Sequence, residues 1–182
     1  MKKILVAAFA VATLFSCGTP LPAGVHAQRD AQSLSMNVDD AAVRGSTTAS
    51  GSVLDYELRG QWVGRYELNV ERYELTLTTP RFTRAVPSDA LSLSAKELAA
   101  RLHLTADEAA SLEPMAEVRA RLAQHADELK AQLGVDARVA STRQGLNCSN
   151  NCCLSWQRAS EAYSSGNTLG GAFWEGIAGW VC

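Results

Sequence analysis

The chain has 182 residues, 47% of them hydrophobic and 20% charged, with a formal net charge of −2. This balance excludes wholesale disorder and offers no basic footprint for nucleic acid or anionic lipid. The length suits one ordinary domain or two small ones.

The first element is an export signal. Lys2 and Lys3 precede an apolar stretch from Ile4 to Phe15, and small residues, Gly and Pro follow, the order of a secretory signal. At about 12 residues the stretch is too short to span a bilayer, which takes roughly 20. Two cuts compete. LFSC at Leu14–Cys17, followed by Gly18, resembles a bacterial lipobox in which Cys17 would be acylated, leaving residues 1–16 as the signal. The alternative falls after Ala27, with Val25 and Ala27 as the small side chains before the cut and residues 1–27 as the signal. Either cut implies export, to the outer membrane or periplasm of a bacterium as a lipoprotein, or to the medium. Without Lys2 and Lys3 the chain carries 15 basic against 19 acidic residues, a charge of −4.

Residues 28–52 are rich in Ser, Thr, Ala, Asp and Gly and show no sustained apolar period; they read as a flexible tether. Alternation follows. Leu54, Tyr56 and Leu58 oppose Asp55, Glu57 and Arg59, and Trp62, Tyr66, Leu68 and Val70 oppose Arg65, Glu67 and Asn69. Tyr73, Leu75 and Leu77 repeat the pattern, predicting an antiparallel meander of about three strands with one apolar face. The triplet YEL begins at Tyr56, Tyr66 and Tyr73, and ordinary strand patterning accounts for it. Pro80 and Pro87 are expected to end the strand region.

Ser94–Glu97 and Thr105–Glu108 have capping-box form and predict two helix starts. Pro114 would open a third helix and Gly134 close it, with Met115, Val118, Leu122, Ala126, Leu129 and Leu133 as one apolar stripe. Glu117 and Arg121 stand at a favourable four-residue spacing. The stripe is expected to cover the meander, forming an α+β domain over residues 53–139. The alternative docks the helix at 114–133 onto a second copy as a homodimer.

The last segment, residues 146–182, changes character: it holds Cys148, Cys152, Cys153 and Cys182, three of the four tryptophans, and only three charges. Four cysteines in an oxidising compartment imply two disulfides, with Cys182 joined to Cys152 or Cys153 and Cys148 to the other. A bridge from Cys153 to Cys182 would close a loop of about 30 residues and contribute roughly 3.6 kcal/mol. Structural zinc is the rival for these cysteines and is disfavoured by the adjacency of Cys152 and Cys153. The expected result is a small α+β fold, an antiparallel β-meander covered by amphipathic helices, with a disulfide-stapled C-terminal module. The module's Trp and Phe either complete the upstream core or expose Trp156, Phe173, Trp174 and Trp180 as a binding face for a membrane surface or a protein partner.

Catalytic signatures are missing: no nucleophile elbow, zinc helix, phosphate loop or dinucleotide turn occurs. His26, His103 and His125 have no partner at triad or ligand spacing, and Asp39 and Asp40 fall in the expected tether. The sequence therefore predicts a non-enzymatic exported envelope protein with no catalytic or metal residues, no cofactor and no nucleic-acid partner. The alternative is a precursor whose last ~37 residues are released as an antimicrobial peptide, though no dibasic site precedes Leu146.

Overall fold

The computed structural model describes residues 24–30, 32–48, 50–134, 151–165 and 167–181. Seven strands form one antiparallel sheet in simple sequence order: β1 Val25–Arg29, β2 Ser33–Val38, β3 Ala41–Thr48, β4 Gly51–Leu58, β5 Gln61–Asn69, β6 Glu74–Thr78 and β7 Thr83–Val86. Among the described residues six α-helices follow: α1 Ala95–Arg101, α2 Ala106–Ala110, α3 Glu113–Gln124, α4 Ala126–Leu133, α5 Asn151–Ser164 and α6 Thr168–Val181. The architecture is α+β, with strands first and helices packed on the sheet afterwards.

The meander has more strands than the sequence pattern suggested. Residues read as a tether supply β2 and β3, and β1 begins within the expected signal region. The strand period was present but diluted by Ser, Asn and Ala: Leu34, Met36 and Val38 alternate on β2, and Ala41 and Val43 continue the buried face on β3. Asp39 and Asp40 form the two-residue turn between them, Asp39 at φ 53°. Their carboxylates are not idle, because Asp40 pairs with Arg121 of α3 and with Arg59 at 3.7 Å.

The β4–β5 turn is Arg59–Gly60, both at positive φ, which matches the twist of the flanking strands. In the β5–β6 turn, Asn69 Oδ1 accepts hydrogen bonds from the backbone N–H groups of Glu71 and Arg72, both at 3.0 Å. Tyr73, expected on the strand, ends that turn at φ 51° instead. Pro80 lies in the turn between Thr79 and Phe82, and Pro87 follows β7, so the two prolines bracket a strand where they were expected to end the sheet.

One face of the sheet is apolar and one is wet. Leu54, Tyr56, Leu58, Tyr66, Leu68, Leu75 and Leu77 are buried in one cluster. On the opposite face Arg65 makes a bidentate pair with Asp55, both bonds at 2.8 Å, and Arg44 meets Glu57 at 3.2 Å. A bulge between Tyr56 and Glu57 sets Tyr56 opposite Gly64 and Glu57 opposite Trp62, so Trp62, expected on the apolar face, lies on the wet one, 41% exposed and donating to Asp55 at 2.8 Å. Gly64 is needed there because a Cβ would run into the side chain of Met115 from α3.

Both predicted capping boxes form: Ser94 accepts from the Glu97 amide and Thr105 from the Glu108 amide, with each glutamate reaching back. Gly134 closes α4 in the left-handed conformation, as expected of a C-cap glycine. The single long helix is broken, however, at His125. Neither Pro nor Gly causes the break. Its effect is to aim α3 across β2–β5 while α4 turns toward β1, so one stripe follows a twisted sheet that a straight rod would leave. Met115, Val118, Leu122, Leu129 and Leu133 are buried in the same core cluster as the strands. The surface that a dimer through residues 114–133 would use is thereby covered within the chain.

Candidate functional site

The C-terminal segment is a helical hairpin whose two arms, α5 and α6, are equal in length and joined by a short turn. Asn167 organises that turn twice over. Its Oδ1 accepts from the Gly170 amide at 2.9 Å, capping α6, and its Nδ2 donates to the Leu91 carbonyl at 2.8 Å. The arms approach closely at Gly171, where an added Cβ would enter the ring of Tyr163.

The hairpin is part of the domain core. Phe173 and Trp174 are 4% and 3% exposed and stack edge-to-face at 5.4 Å. Trp174 also lies 6.1 Å from the ring of Tyr73, whose hydroxyl shares a 2.9 Å hydrogen bond with Ser155 of α5. Arg29 of β1 pairs with Glu175 of α6 at 2.7 Å, and the Tyr163 hydroxyl donates to the same carboxylate at 2.8 Å. The bond from Glu175 raises the pKa of Arg29, and burial followed by the Glu175 charge raises that of Tyr163.

Of the two expectations for these aromatics, Phe173 and Trp174 follow the one in which they complete the upstream core. Phe173 and Trp174 fill the core and present no ring to solvent. Trp156 lies on α5 and Trp180 on α6, with only their backbone described. Cys152 and Cys153 occupy the first turn of α5, again by backbone alone, while Cys17, Cys148 and Cys182 lie outside the described residues.

The concave feature of the fold is elsewhere. A cleft of about 500 Å³ opens between α3, the segment leading into α1 and the α5–α6 turn, within the range of small-molecule sites, roughly 300–1,000 Å³. Its floor is apolar and buried: Met36 from β2, Leu122 from α3, Leu129 from α4 and Leu169 from α6. Its rim is polar, with Ser92, Ser165, Asn167 and Arg119. No Asp or Glu is among the described lining residues.

Arg119 is the charge in this cleft. Its guanidinium donates to the carbonyls of Leu93 at 2.8 Å and Leu91 at 2.7 Å, so the fork is pinned by neutral acceptors. These bonds use two of the five N–H groups that an arginine carries. A smaller cavity behind it is lined by Arg119, Ala95 and Ala116 together with Tyr66. Tyr66 meets Tyr56 edge-on at 5.9 Å, and the Tyr56 hydroxyl is buried with no hydrogen-bond partner among the described residues. Burial pushes Tyr66 up to about 12 and Tyr56 further, the nearby charge of Arg119 opposing both.

Sequence reasoning missed Arg119, although a signal existed. It falls four residues after Met115 and beside Val118, on the edge of the apolar stripe, where an unpaired charge is out of place. Asn167 had no such signal, because its two partners are 76 and 3 residues away in the chain. Among the described residues no cluster of three or more His, Cys, Asp or Glu side chains could hold a metal ion, and no helix is long and apolar enough to cross a membrane.

No protein-family model, curated protein or solved structure matches the chain. The fold and site therefore define it only as an α+β domain, a seven-stranded meander completed by a C-terminal helical hairpin, with an open cleft in which Arg119 is the one charged side chain among the described lining residues.

Proposed function

We propose that the protein is an exported, non-enzymatic envelope protein held at a bacterial membrane by acyl chains on Cys17. The supporting observation is the position of β1. Val25 is its first residue, the Val25 carbonyl accepts from Gln132 Nε2 at 3.1 Å, and the Ala27 amide donates to Gln132 Oε1 at 2.6 Å. A cut after Ala27 severs this strand and removes the Val25 half of the clamp onto α4. A cut before Cys17 leaves β1 whole, with residues 18–23 reaching at most roughly 20 Å between the lipid and the sheet.

The same reading makes the C-terminal hairpin a stapled lobe. Antiparallel arms of equal length bring the first turn of α5, with Cys152 and Cys153, to the end of the hairpin where α6 runs out at Val181. This supports a bridge from Cys182 to Cys152 or Cys153, with Cys148 taking the other. In an exported protein such a bridge persists, and it restrains the unfolded chain.

Intact mass of protein taken from the native membrane fraction tests both parts. A chain that begins at acylated Cys17 and gains about 4 Da on reduction, one hydrogen per sulfur, is the expected result. A folded chain that begins at Gln28 rules out the anchor, and an unchanged mass on reduction rules out the staples.

A further inference from the structure

We infer that the cleft at Arg119 is a binding site for an amphipathic monoanion, a single carboxylate on an unbranched apolar chain such as a medium-chain fatty acid. The floor made by Met36, Leu122, Leu129 and Leu169 is buried and carries no polar side chain, which suits an aliphatic tail. The cation stands at the rim, and a guanidinium takes a carboxylate through paired N–H bonds. Arg119 has no carboxylate partner among the described residues, in contrast to Arg29, Arg65, Arg84, Arg101 and Arg121, which all have one. Its two bonds to the Leu91 and Leu93 carbonyls hold the fork in place without neutralising it.

A second observation points the same way. The Tyr56 hydroxyl is buried with no hydrogen-bond partner among the described residues, packed on Tyr66, which lines the small cavity beside Arg119. Protein interiors rarely leave such a group unpartnered, and the small cavity that Tyr66 lines is shared with Arg119. A dianion fits poorly, since Arg119 is the one charged side chain among the described lining residues. A cation is excluded by Arg119 itself. The inference rests on the cleft and not on the acyl anchor, so it stands or falls apart from the export reading.

The test is calorimetric titration of the full chain, stripped of copurified lipid, with sodium dodecanoate. Saturable binding near one equivalent is expected, with dodecanol and dodecylphosphocholine at least tenfold weaker and acetate undetectable. Arg119→Gln should weaken dodecanoate by tenfold or more, and Arg119→Lys, which keeps the charge but loses the paired donors, should weaken it less. Should Arg119→Gln unfold through loss of its carbonyl bonds, Ala123→Trp serves instead, because Ala123 is an exposed lining residue that makes no side-chain hydrogen bond. It should keep the native melting curve and abolish binding. Equal affinity for dodecanol and dodecanoate, equal affinity for dodecylphosphocholine, undiminished binding by folded Arg119→Gln or Ala123→Trp, or no saturable binding at all would overturn the proposal.

Discussion

Arg29 on the first strand and Glu175 on the last helix stand 2.7 Å apart across 146 residues of chain, and the Tyr163 hydroxyl binds the same carboxylate. The Glu175 side chain is only 17% exposed, so the contact is screened less than a surface pair. Glu175→Ala leaves a cation and a phenol half-buried without their acceptor. The expected loss in urea unfolding is about 1–3 kcal/mol. Glu175→Gln retains an acceptor for Tyr163 and should cost less; equal stability of both variants and the parent would show that the triad contributes nothing.

Gly171 sets the distance between the arms of the hairpin. Alanine normally gains roughly 1 kcal/mol over glycine inside a helix, yet here the methyl group enters the Tyr163 ring. Gly171→Ala should therefore destabilise, by about 1–3 kcal/mol as overpacking commonly does. Pairing it with Tyr163→Ala should recover part of the loss, and a purely additive double mutant would refute the contact as the cause.

Two other glycines rank predictably. A Cβ on Gly51 meets the backbone carbonyl of Leu68, which cannot step aside, whereas one on Gly64 meets Met115, a flexible side chain. Thermal melts should show Gly51→Ala more damaging than Gly64→Ala. The reverse order would mean that the β4–β5 pair adjusts more easily than the helix packed on it.

Stability should fall at alkaline pH. The Tyr66 phenol lies at about 12 in the folded protein against an ordinary 10.0, and Tyr56 and Tyr163 are raised further by burial. Their neutral forms favour folding up to about pH 10; above it the unfolded chain releases its protons first. Tyr66 alone should account for a loss of roughly 3 kcal/mol between pH 10 and 12. Unfolding curves across that range, with phenolate absorbance followed in parallel, provide the check. On the acid side Glu97 and Glu108 sit below the usual carboxylate value because of their cap hydrogen bonds, so their contribution is present at neutral pH and lost as pH falls through that lowered range.

Deleting residues 146–182 removes Phe173 and Trp174 from the core and uncovers Leu54 on the sheet. The truncated chain should bind a hydrophobic dye and lose cooperative melting. A shortened protein that melted as sharply as the whole would fit the peptide-precursor reading instead.

Much of the middle of the fold was legible because its signals are local. Ser94 and Thr105 satisfy amides three residues away, Gly134 accepts a left-handed conformation without cost, and the alternation in β4 and β5 needs only the strand period. The edges were not legible for the same reason. β2 and β3 alternate weakly through Ser, Asn and Ala, and what makes them strands is pairing with β4 and the cover of α3. The break at His125 carries no sequence mark, and the side of the sheet on which Phe173 and Trp174 lie depends on how the hairpin docks.

By itself, then, the sequence determined the α+β class, the strands β4 to β6 and the helix caps, since each depends on neighbours within about one turn or one strand pair. Only the tertiary structure decided that the supposed tether is sheet, that Phe173 and Trp174 are core, and that Arg119 stands in an apolar cleft without a carboxylate among the described residues. Burial and charge pairing are set by residues distant in the chain, such as Arg29 with Glu175 or Asn167 with Leu91, and no local pattern encodes which of them will meet.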